Sequence, residues 1–158
     1  IRMSSEIDKR LAQLGIVLPA PGAPGGNYVP FVIAGDLAFM AGQVARAEGR
    51  IAYAGKVGSD LSVEQGQAAA RLCALNLLAQ LKVACDGNLD RVVRCVRLSG
   101  YVNCLPDFRE QPKVVNGASD LMIEVFGERG KHARTAVGAV LPSDSAVEVE
   151  AIFQLSRA

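Results

Sequence analysis

From Val147 to Leu155 the chain sets Val147, Val149, Ala151, Phe153 and Leu155 on one side and Glu148, Glu150 and Gln154 on the other. That two-residue period predicts a strand with one buried face. HARTAVGAVL (132–141) predicts the strand before it, with a turn at Pro142–Ser145 between the two, and the short spacing predicts that they are antiparallel neighbours. Upstream, FVIAG (31–35) and LAFMAG (37–42) predict two strands around a tight Gly35-Asp36 turn, and RIAYAG (50–55) predicts a third. The β-branched run RVVRCVRLSGYVN (91–103) predicts a long strand.

Between the strands the period changes. Ser62 and Gln65 form an S-x-x-Q start signal, and Gly87 ends the helix they open. Inside it, Ala70, Cys73, Leu77, Leu81 and Ala84 form one apolar stripe, and Ala68, Leu72, Leu75, Ala79 and Val83 form another. One stripe suffices for a surface helix. Two predict cover on two sides, by the chain's own sheet and by another subunit. Helix is predicted again from Asp107, most firmly over Pro112–Phe126, with Pro112 in the first turn. A short amphipathic helix is predicted after Ser4 or Ser5, ending at Gly15, followed by the Pro/Gly segment PAPGAPGGNY (19–28). The order β-β-β-α-β-α-β-β predicts an α+β fold: a six-stranded, mainly antiparallel sheet with two main helices on one face. The other face, also carrying Leu, Val and Ile, then calls for cover by a partner subunit. The expected organisation is a single domain over residues 1–158, with 1–25 as N-terminal helix and lead-in.

Composition narrows the function classes. Half of the residues are hydrophobic but only 5% aromatic, and 17 basic residues face 16 acidic ones, for a net charge of +1. Nucleic-acid binding usually draws on a basic excess, so no nucleic-acid partner is expected. Cys73, Cys85, Cys95 and Cys104 include no C-x-x-C, and His132 is the one histidine, so no metal site is expected. No apolar run reaches membrane-spanning length, and the opening IRMSSEIDKRL is polar rather than a signal sequence. A reducing, cytoplasmic setting is the expectation.

Three places carry candidate chemistry. Arg134 stands in a strand among small neutral residues. It is either a surface arginine paired with Glu148 or Glu150 on a neighbouring strand, or a planar fork aimed at a ligand carboxylate. GGNYVP (25–30) is either an ordered turn or a segment whose glycines and Tyr28 approach a ligand. Gly42-Gln43 and Asn116-Gly117 are either turn chemistry alone or part of a pocket.

Taken together, GNYVPFVIAGDLAFMAGQVA (26–45), VNG (115–117), HARTAVG with VLP, and VEVEAI up to residue 152 resemble the YjgF/Rid family of enamine and imine deaminases, also called endoribonuclease L-PSP. The longer N-terminus and the K-H-A-R-T-A-V-G form resemble a less characterised branch. The resemblance implies a chorismate mutase-like fold, a homotrimer with ligand clefts between subunits, and no cofactor. It implies that Arg134 grips a substrate carboxylate, that Tyr28, Gly42 and Asn116 line the pocket, and that Glu148 positions water, with Glu150 as the alternative. It departs at Ala136, where many members carry cysteine, and at Gly26-Asn27-Tyr28-Val29 in place of G-P-Y-S. The implied activity is hydrolysis of a 2-imino or enamine carboxylic acid to 2-ketoacid and ammonia, with Arg134 and Glu148 catalytic. The rival is a binding protein that holds a small carboxylate-bearing metabolite without turning it over. For Glu148, burial raises the carboxyl pKa and a nearby Arg134 lowers it; the sequence leaves that balance open.

Overall fold

The computed structural model describes residues 4–158; Ile1–Met3, part of the expected domain and of its polar opening, lie outside the described residues. Helix α1 (Glu6–Gln13) starts at Ser5, whose hydroxyl accepts from the Asp8 amide, and the Asp90 carboxylate accepts from the Glu6 and Ile7 amides, 2.9 Å each. Two otherwise orphaned first-turn N–H groups are thereby satisfied by a distant residue. Gly15 follows with φ 67°, a left-handed conformation that costs glycine little.

Strands β1 (Phe31–Ala34) and β2 (Leu37–Val44) form the expected hairpin. RIAYAG does not join the sheet. Only Arg50–Ile51 is strand (β4), paired with Arg46–Ala47 (β3) across a turn in which Glu48 and Gly49 take φ 50° and 77°. Helix α2 (Val63–Ala84) has the full reciprocal capping box between Ser62 and Gln65. Long strand β5 (Val92–Val102), helix α3 (Gln111–Phe126), strand β6 (Ala133–Gly138) and strand β7 (Val147–Leu155) complete the order. Residues 107–110, expected to be helical, are not; the helix waits for Gln111 and Pro112.

The main sheet is mixed and five-stranded, in the order β1-β2-β7-β5-β6. Two expectations are corrected here. The sheet has five strands rather than six, and β6 and β7 are not neighbours. β6 runs parallel to β5 on the far edge, while β7 inserts antiparallel between β2 and β5. Alternation reports which face a strand buries but not which strand lies beside it. Residues 139–146 carry the chain back across β5, with Ser143 and Asp144 at φ 55° and 54°.

Helices α2 and α3 cover one face, burying Leu77, Leu78, Leu121 and Met122 against Leu98 and Phe153. The first α2 stripe is buried throughout. The second is covered in part by α1 and the lead-in: Ile16 and Leu18 pack on the core and Gln80 Nε2 donates to the Gly22 carbonyl at 2.7 Å, while Val83 stays exposed. The chain itself thus supplies cover that the sequence reading assigned to another subunit. The opposite sheet face is open. Val32, Phe39 and Val137 on it are 53%, 42% and 42% exposed, an apolar surface spread across the strands. Among the described residues no helix is long and apolar enough to cross a membrane.

Candidate functional site

Arg134 lies on edge strand β6 opposite Leu98, a fully buried residue of β5, so its side chain leaves the sheet on the helix-covered face. There it meets α3. Nη1 donates to Asn116 Oδ1 at 2.6 Å and to Ser119 Oγ at 3.2 Å, and Nη2 donates to the Pro112 carbonyl at 3.2 Å. Pro112, Asn116 and Ser119 are spaced i, i+4, i+7 and so share one helix face. Asn116 was a sequence candidate. Ser119 was missed, although its position one turn beyond Asn116 is a signal that sequence alone contains. The pair Asn116-Gly117 is not turn chemistry: both residues lie inside α3, and Gly117 is where its backbone touches α2. A methyl there would collide with the Gln67 carbonyl.

No carboxylate answers Arg134. Among the described residues its partners are three neutral oxygens, and it forms no ion pair. The expected alternative, pairing with Glu148 or Glu150 of the same chain, is thereby overturned. A guanidinium carries five N–H donors. Three are engaged, which leaves the Nε–H and one Nη2–H.

Glu148 and Glu150 sit on the other side of the sheet. Tyr101, opposite Glu148, turns its hydroxyl to Glu150 Oε1 at 2.9 Å. Glu148 stands beside Gly42, where any Cβ would strike its carboxylate, and β2 carries a register break between Met40 and Gln43 there. Such bulges re-aim side chains. Among the described residues no hydrogen bond reaches the Glu148 carboxylate. Burial, then repulsion from Glu150, raises its pKa above the ordinary 4.5. The balance left open by the sequence thus falls to desolvation, because Arg134 of the same chain is on the wrong face to oppose it.

Tyr28 precedes β1, at the opposite edge of the sheet from β6. Four strand spacings separate those edges, roughly 19 Å. Its hydroxyl accepts from the Gly25 amide at 3.1 Å, and the ring is half exposed. Within one chain the five expected residues therefore form three groups: Arg134 with Asn116, Glu148 with Gly42, and Tyr28 alone. Two hollows, of about 830 and 1090 Å³, are lined by none of them. Cys73, Cys85 and Cys95 are buried free thiols, and burial pushes Cys85 up to about 11 and Cys95 to about 12, well away from reactive thiolates. Among the described residues no cluster of three metal-binding side chains occurs.

A family model described as "YjgF/chorismate mutase-like, putative endoribonuclease" matches residues 8–155. The chain belongs to this YjgF family. Protein TCP17 of Trypanosoma cruzi is 47% identical over 156 residues, 98% of this chain and 97% of that one. Atu1372 of Agrobacterium tumefaciens, a solved structure of unknown function, is 46% identical with a TM-score of 0.89, covering 95% of this chain and 92% of its own. The YjgF gene product of E. coli is 26% identical with a TM-score of 0.56, covering 87% and 94%. The five-stranded sheet backed by two helices is thus the YjgF, chorismate mutase-like fold.

Proposed function

We propose that this YjgF-family chain is a deaminase of small 2-imino carboxylic acids, acting in clefts between the subunits of a cytoplasmic homotrimer. The observation that carries the reading is Arg134, a cation fastened by three neutral oxygens with two N–H groups left over and no acid beside it. A carboxylate offers two oxygens to such a fork. The separation of Arg134 from Glu148 and Tyr28 supports a composite site, in which one subunit supplies the fork and another supplies Glu148, Gly42 and Tyr28. The uncovered apolar face around Phe39 and Val137 supports association of copies, and the free buried thiols support a reducing compartment.

In the reaction R–C(=NH2+)–COO− + H2O gives R–CO–COO− + NH4+. Arg134 would hold the carboxylate and make attack effectively unimolecular. Glu148 would take a proton from the attacking water and return it to the departing nitrogen. Glu148 suits this better than Glu150, whose carboxylate already receives the Tyr101 hydroxyl. Ala136 rules out a thiol two residues beyond the arginine. That absence also favours the second reading, a protein that binds a small carboxylate without turnover.

A 2-iminoacid generated in situ by an amino-acid oxidase, with 2-ketoacid release followed, separates the two. Glu148→Gln is expected to slow release by about 10²–10⁴-fold while pyruvate still binds. Because a base must be ionised, the wild-type rate is expected to fall on the acid side as Glu148 is protonated; burial and Glu150 raise the pH of that fall, and Arg134 of the adjoining subunit lowers it. Pyruvate binding with no wild-type turnover would select the binding protein.

A further inference from the structure

His132, the one histidine in the chain, is bonded at both ring nitrogens: Nδ1 to the Gly130 carbonyl at 2.7 Å and Nε2 to Ser119 Oγ at 2.9 Å. A carbonyl only accepts, so in the neutral ring the proton sits on Nδ1 and Nε2 is the acceptor. The single Ser119 proton then points at Nε2, and the Ser119 lone pairs are turned to Arg134 Nη1 at 3.2 Å. Ser119 is 8% exposed, so water has little access to substitute for either partner. Each group in the row has one donor or acceptor role compatible with its neighbours. The row runs from the carbonyl just before β6, through the ring, to a hydroxyl on α3, and ends on the guanidinium.

We propose that His132 and Ser119 are positioning residues that lock the rotation of the Arg134 guanidinium, so that its Nε–H and spare Nη2–H face the ligand as a rigid carboxylate-specific fork. The proposal rests on the reading of Arg134 as a carboxylate clamp. Without Ser119, the guanidinium keeps Asn116 on Nη1 and the Pro112 carbonyl on Nη2 but loses the third anchor, and the plane is held less firmly. With the ring proton on Nε2 instead, Nδ1 would face the Gly130 carbonyl lone pair to lone pair and that bond would be lost, so the ring that anchors the Ser119 hydroxyl would shift. Neither state presents the same edge. Neither residue need touch the ligand.

Because only one imidazole exists, its ¹⁵N resonances report on this site alone. In wild-type protein Nδ1 is expected to be protonated and Nε2 to resonate as an acceptor, and adding pyruvate is expected to move the Nε2 signal. Ser119→Ala is expected to abolish that response and weaken pyruvate binding about five- to tenfold, the net loss of one ordinary hydrogen bond that acts on the ligand only through Arg134. Ser119→Thr, which keeps the hydroxyl, is expected to restore both. Unchanged affinity in Ser119→Ala together with a persisting Nε2 response would overturn the relay, as would a wild-type ring protonated on Nε2 alone. Arg134→Ala separates this failure from that of the clamp. If pyruvate affinity is lost there but indifferent to Ser119, the clamp stands and the relay falls. If affinity is unchanged in Arg134→Ala, both fall.

Discussion

Arg134→Ala is expected to lower both pyruvate affinity and 2-ketoacid release by about a hundredfold or more. Two charge-assisted hydrogen bonds to a carboxylate are together worth roughly 3–6 kcal/mol, and about 1.4 kcal/mol corresponds to a factor of ten. The variant should fold normally, because what it removes is a side chain at the edge of the sheet whose partners are neutral oxygens on α3. Arg134→Lys should recover little. An ammonium carries the charge but not the planar pair of parallel N–H groups, and Asn116 and Ser119 are spaced for a guanidinium nitrogen. Calorimetric titration with pyruvate and the coupled deaminase assay check this together. Equal rates and affinities in wild type and Arg134→Ala would remove the carboxylate clamp.

The largest effect on stability is expected from Gly117→Ala. Helix propensity alone predicts a gain, since alanine in a helix interior is favoured over glycine by about 1 kcal/mol. The packing predicts the reverse. A methyl at position 117 lands on the carbonyl of Gln67, which is α2 backbone and cannot swing aside. The helices must part along a contact that buries Val114, Ala118 and Leu121. Overpacking of this kind costs about 1–3 kcal/mol and sometimes more, enough to outweigh the propensity gain. Contact with rigid backbone places this case at the upper end of that range, so net of the propensity gain about 2 kcal/mol is lost, a fall in Tm of roughly 4–8 °C for a chain of this length. Asn116 and Ser119 flank Gly117 and would move with α3, so pyruvate affinity should fall as well. A thermal melt at or above the wild-type Tm would contradict the close helix contact.

How far the fold was legible depended on the kind of signal. Ser62 and Gln65 announced α2 because a capping box is local chemistry, completed within four residues. Val147 to Leu155 announced β7 because period-two alternation follows from a single buried face. Pairing was not legible. Nothing in HARTAVGAVL says that it lies parallel to β5, and nothing in RIAYAG says that Glu48 and Gly49 spend its first residues on a small separate ribbon. Both depend on long-range geometry. At the candidate site, Arg134 and Asn116 were each singled out by the sequence and meet at 2.6 Å, while the alternative of Arg134 paired with a strand glutamate is excluded because strand parity sends them to opposite faces. Ser119 and His132 escaped notice because a helix serine and a strand-entry histidine are ordinary until the guanidinium brings them into one row.

Crystals of the protein soaked with pyruvate test the central claim most directly. The account predicts carboxylate density within hydrogen-bonding distance of Arg134 Nε and Nη2, at a boundary between subunits, with Glu148 of the adjoining copy facing the ketone carbon. Arg134 already closed by an acidic side chain from that copy, or pyruvate bound elsewhere with the guanidinium left bare, would contradict it.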